Sequence, residues 1–236
     1  MSNQARITAR RKLPANPASN PNELMSKHYK LLLYSLGIND RQLHALNRLV
    51  GKEPAAIKLA FIENAADVIP QSEGWVKAVR DSFRRKGYQV EPIDLRLFRN
   101  RSQQLRDKLS GKDVIWLGGG NTFYLRWILR ASGADEIIRT LVSQGKVFSG
   151  WSAGAIVAGP TIEYFDSMDD PDDAPEVILE GLNLTNIIVI PHIDNADFIE
   201  GAHHTNMALQ AAGYNTLPLG DEEVLVISGD DQRIIE

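Results

Sequence analysis

Apolar positions along the chain fall into short runs that switch between two periods. Lys30–Ser35 (KLLLYS), Ile57–Ile62, Gln89–Ile93 and Asp113–Leu117 are brief apolar or alternating runs and predict strands. Between them, Asp40–Val50 spaces Leu43, Leu46, Leu49 and Val50 at helical intervals. Ser72–Lys86 gathers Trp75, Val76, Val79 and Phe83 on one helical face and stops at Gly87. Ser102–Leu109, Phe123–Ala131 and Ala134–Gln144 predict further helices, and Lys146–Ser149 a short strand. Strands alternating with helices of this length predict a mostly parallel sheet covered on both faces, a three-layer α/β sandwich.

Residues 1–28 break that pattern. Pro14, Pro17 and Pro21 stand among Asn, Ser and Ala, with almost nothing to bury. The segment predicts a disordered or cleavable basic tail. The prolines argue against an amphipathic transit helix, and Met25 offers an alternative start. A single domain is expected over 29–236.

Composition narrows the chemistry. The 236-residue chain has no cysteine, which removes disulfides, thiolate metal sites and a cysteine nucleophile, and suits a reducing, cytoplasmic setting. Net charge is −4, and residues 1–30 hold six of the 26 basic side chains but only one of the 30 acidic ones. The remaining body is therefore strongly acidic, which argues against nucleic acid as a partner. No apolar run is long enough to predict a membrane span.

Three motifs carry chemistry. Gly150-Trp151-Ser152-Ala153-Gly154 is G-x-S-x-G between a predicted strand and an apolar segment, the pattern of a nucleophile elbow. The bland alternative is a tight turn with an N-cap serine. Gly118-Gly119-Gly120-Asn121-Thr122 follows the Asp113–Leu117 strand. It lacks the spacing of a nucleotide-binding loop and is better read as a source of oxyanion N–H donors, or as a helix cap. Pro191-His192 ends the apolar run Ile187–Ile190, where a general base for Ser152 would stand. Glu163–Glu176 carries seven carboxylates and no cation; it is a solvated loop by default and the natural source of a third acid. His203-His204 reads as an ordinary helix surface, and no metal site is expected.

Together GGGNT, GWSAG and PH resemble the dipeptidase E / cyanophycinase family of serine peptidases, whose fold is similar to that of class I glutamine amidotransferases. Pro160-Thr161-Ile162 extends the likeness, which covers roughly Lys30 to the C-terminus. The resemblance implies Ser152 as nucleophile, His192 as base, and Gly120 and Ala153 N–H as the oxyanion hole. It implies no cofactor, a small peptide as substrate, and allows a homodimer. For the third member, gapless matching falls on Ser167; an insertion brings Asp169 into register, with Asp170 and Asp166 as alternatives. No Arg or Lys follows His192 as far as Gly213, so an acidic Asp-X substrate is not expected. An α/β-hydrolase esterase and a non-catalytic ligand-binding module on the same fold remain the rival readings.

Overall fold

The computed structural model describes residues 29–236; the expected basic tail, 1–28, lies outside them. Five strands form the parallel body of a seven-stranded sheet: β1 (Lys30–Tyr34), β2 (Lys58–Ile62), β3 (Gln89–Ile93), β4 (Val114–Leu117) and β5 (Val147–Trp151). Their order is β3-β2-β4-β5-β1, and β8 (Val224–Ser228) and β9 (Asp231–Ile235) continue it as β1-β8-β9. Both added strands pair antiparallel. A separate parallel pair joins β6 (Ile188–Ile190) to β7 (Thr216–Pro218).

Side chains alternate across the pleat, so each strand feeds two cores. On one face Leu32, Tyr34, Leu59, Phe61, Val114, Trp116, Val224 and Val226 pack on α1 (Asp40–Val50) and α2 (Glu73–Arg85). On the other, Leu31, Leu33, Ile62, Leu117, Phe148 and Leu225 meet α3 (Ser102–Ser110), α4 (Thr122–Ser132) and α5 (Ala134–Ser143). Two further helices, α6 (Ala153–Ile156) and α7 (Ile199–Ala211), lie on that second side. The α/β three-layer sandwich expected from the periodicity is therefore the fold.

Local chemistry explains the helix limits. Asn39 and Gln42 form a reciprocal capping box at the start of α1. The Asn121 side chain accepts the Tyr124 N–H at 2.9 Å and starts α4. Glycine 133 adopts a left-handed φ of 73° between α4 and α5. These turns bring the carboxyl ends of β2, β4, β5 and β1 to one edge of the sheet, where sites form in open α/β folds.

Candidate active site

Ser152 stands between β5 and α6 with φ 50° and ψ −112°, a conformation an L-residue rarely adopts. Its N–H donates to the Tyr34 carbonyl at 3.1 Å, tying the turn to β1. The turn is tight because α6 descends onto β4: a Cβ on Gly154 would lie 2.2 Å from the Leu117 carbonyl oxygen, so only glycine fits.

His192 follows β6 and is buried. It too has a left-handed φ, 63°. Its N–H donates to Ser35 Oγ at 2.8 Å, which holds the post-β6 turn against the end of β1. The ring then spans two partners. Nε2 lies 2.9 Å from Ser152 Oγ, and Nδ1 lies 2.7 Å from Asp221 Oδ1. An ionised carboxylate can only accept, so the Nδ1–H donates to Asp221 and leaves the Nε2 lone pair facing the serine hydroxyl. The Phe198 ring covers the imidazole, with centroids 4.8 Å apart.

Asp221 comes from the segment before β8. Its other oxygen, Oδ2, accepts the Asn195 amide N–H at 2.6 Å. Its backbone is held as firmly: its N–H donates to Asp194 Oδ1 at 2.8 Å, and its carbonyl accepts from Leu36 and Gly37 N–H.

The glycine turn after β4 packs directly on the serine. A Cβ on Gly119 would stand 3.2 Å from Ser152 Cβ. Gly120 has φ 133° and is wedged against the loop after β2, where a Cβ would sit 2.2 Å from the Ala65 carbonyl oxygen. Among the described residues, the N–H groups of Gly119 and Gly120 have no backbone or side-chain acceptor within the protein. Ala153 opens α6, so its N–H has no intrahelical partner. A hydroxyl facing an imidazole lone pair, backed by a carboxylate and flanked by free N–H groups, is equipped for acyl transfer.

The profile of peptidase family S51 matches residues 31–235, nearly all of the described chain. The chain belongs to peptidase family S51. An uncharacterized peptidase of Pasteurella multocida (strain Pm70) is 31% identical over 179 residues, covering 73% of this chain and 85% of the relative. A peptidase E of Nostoc sp. (strain PCC 7120) is 33% identical over 176 residues, covering 73% and 68%. A crystal structure of a Listeria monocytogenes EGD-e protein, described as a candidate peptidase E, superimposes with a TM-score of 0.75 at 25% identity, over 88% of this chain and 98% of that one. This S51 member is a serine-type peptidase, and the resemblance to the dipeptidase E family holds.

Within this S51 chain the acids expected from the resemblance sit away from Nδ1. Asp169 Oδ2 accepts the Thr122 N–H at 3.0 Å. Asp170 caps the short turn Pro171–Asp173 by accepting the Asp172 N–H. Asp166 is exposed in the turn Phe165–Ser167. Asp221 occupies the place against the imidazole instead, because β8 pairs with β1 and carries the preceding loop to the end of that central strand. Burial pushes the Asp169 pKa up, partly opposed by its contacts to Thr122 and the nearby His192. His203 and His204 are exposed on α7. Among the described residues no three His, Asp or Glu side chains gather as metal ligands, and no helix is long and apolar enough to cross a membrane.

Proposed function

We propose that the protein hydrolyses short peptides through Ser152, His192 and Asp221. The observation that carries this reading is the continuous bonded line Ser152 Oγ–His192 Nε2 at 2.9 Å and His192 Nδ1–Asp221 Oδ1 at 2.7 Å. Ser152 Oγ attacks the scissile carbonyl carbon while its proton passes to Nε2. Asp221 stabilises the imidazolium and holds the ring. The N–H groups of Gly120 and Ala153, with Gly119 beside them, receive the oxyanion. The imidazolium gives its proton to the leaving amine nitrogen as the C–N bond breaks. Water, deprotonated by the same imidazole, then attacks the Ser152 ester, and the acid and free serine are released. Ser152 acts here as the serine of a nucleophile elbow.

The substrate is a small peptide whose acyl-side residue is not acidic. No Lys or Arg occurs between Lys146 and Arg233, a stretch that includes both Ser152 and His192. That stretch therefore supplies no cation to pair with an acyl-side carboxylate. A cysteine-free chain suits action in the cytoplasm. The acid here follows the histidine in the chain, an order that disfavours the α/β-hydrolase esterase reading. The complete hydrogen-bonded line disfavours a non-catalytic module.

Intact mass after incubation with a fluorophosphonate tests the nucleophile. Wild type is expected to gain one adduct and Ser152→Ala none, and a dipeptide library then ranks acyl-side residues. Folded wild type that stays unlabelled and cleaves no dipeptide would refute the reading.

A further inference from the structure

Asp169 is a carboxylate that the proposed triad leaves unused, yet it touches the machinery at another point. Its Oδ2 accepts the N–H of Thr122, the residue that ends the glycine turn and begins α4. Its own N–H donates to Phe165 O at 2.9 Å, which fixes the short loop that carries it. The same loop grips the neighbouring residue: the Asn121 amide nitrogen donates to Asp170 O at 2.7 Å and to Asp173 Oδ2 at 3.0 Å.

The other side of the turn is also held. Gly118 N–H donates to Ile62 O, and Asn121 N–H to Ala65 O, each at 2.8 Å. Gly119 and Gly120 lie between these fixed ends with their N–H groups free and Gly119 against Ser152. The acidic loop is in turn fastened to α7, the helix that follows His192. Ser167 Oγ donates to Gly201 O at 3.2 Å, and Thr205 Oγ1 to Tyr164 O at 2.8 Å. One run of hydrogen bonds thus joins the helix after the histidine to the turn beside the serine.

We propose that Asp169 is a positioning residue, whose carboxyl oxygen holds the Gly118–Asn121 turn so that its free N–H groups meet the oxyanion formed on Ser152. This inference rests on the acyl-transfer reading above. Oxyanion donors act only within about 2.7–3.1 Å of the developing charge, so a small displacement of the turn is costly to the chemical step. The contact needs an acceptor and not a charge, because an amide oxygen can accept the Thr122 N–H as a carboxylate does. A mere helix-capping role would instead alter stability and leave the chemistry untouched.

The test measures fluorophosphonate inactivation of the full chain under saturation, together with thermal unfolding. Asp169→Ala is expected to lower the limiting rate constant tenfold or more, with half-saturation changed less than threefold. Asp169→Asn is expected to stay within threefold of wild type in both. An alanine variant that reacts at the wild-type rate overturns the proposal. So does an asparagine variant as slow as alanine, because charge acting on His192 would then be the cause. Should Asp169→Ala fail to fold, Asp169→Leu preserves volume without an acceptor; failure of both beside a normal Asp169→Asn assigns the contact to stability alone and overturns the proposal. An unlabelled wild type removes the acyl-transfer reading and this inference with it, whereas a labelled wild type with indifferent variants removes only the inference.

Discussion

Replacing Asp221 by asparagine poses a question that the surrounding hydrogen bonds answer. Asn195 presents an amide N–H to Oδ2 at 2.6 Å, and that group can only donate. In Asp221→Asn the new amide must choose an orientation. With its oxygen toward Asn195, its NH2 faces His192 Nδ1. The reverse sets two NH2 groups against each other and leaves a donor unsatisfied, at about 1–3 kcal/mol. The first orientation therefore prevails. His192 Nδ1 must then accept, the ring proton moves to Nε2, and the nitrogen facing Ser152 can no longer take a proton. Losing both the Nδ1–H tautomer and the carboxylate charge that stabilises the imidazolium costs about 10⁴-fold in rate, or about 5.5 kcal/mol at about 1.4 kcal/mol per decade. The assay is fluorophosphonate labelling followed by intact mass, with thermal unfolding as the control for folding. Adding Asn195→Ala to Asp221→Asn frees the amide to turn and is expected to recover about tenfold, the worth of that one preference. Asn195→Ala alone should cost less than about tenfold. A folded Asp221→Asn protein labelling within tenfold of wild type would refute the reasoning, as would a double variant slower than the single one.

Two further outcomes follow from the packing. Gly120→Ala sets a Cβ 2.2 Å from Ala65 O at a φ of 133°, so it should abolish labelling or lower stability by more than about 2 kcal/mol, read by denaturant unfolding. Burial raises the Asp169 pKa in the fold, so the ionised carboxyl opposes folding as pH rises through that raised value; Asp169→Asn should match wild type in acid and gain in Tm relative to it toward neutral pH, read by unfolding at pH 4 and 8.

The sheet's parallel body is legible because β1, β2, β4 and β5 are buried almost throughout, edge strand β3 is a short run ahead of its turn, and the helices present one apolar stripe. Asp40–Val50 and Gln89–Ile93 coincide with α1 and β3 at both ends. Strand β5 runs two residues further than Lys146–Ser149 predicts, because Gly150 and Trp151 pair with Leu33 and Tyr34 despite the glycine. The apolar run Ile187–Ile190 marks β6, but its partner Thr216–Pro218 is too short to show a period, and the β8–β9 hairpin escapes notice. Ser152 and His192 are legible because each stands in a motif with its own backbone demand. Asp221 is not, because it sits beside Glu222 and Glu223 with nothing in composition to separate them. Only its position just before a Val-Leu-Val-Ile run, a strand fit to pair with β1, marked it. The expectation that the acid lies between serine and histidine turned attention to Asp169 instead.

The chain order of the three side chains bears on biosynthesis. Serine arrives with β5, histidine with β6, and the acid only just before β8, the strand that docks on β1 near the C-terminal end. A ribosome-bound chain that has already emerged through its serine still lacks the partner that orients the imidazole. The proposed hydrolytic centre therefore assembles last, after the five-stranded parallel body can form. A translation product broken off before Asp221 would lack the carboxylate proposed to orient His192, and is expected to cleave peptides far more slowly than the whole chain.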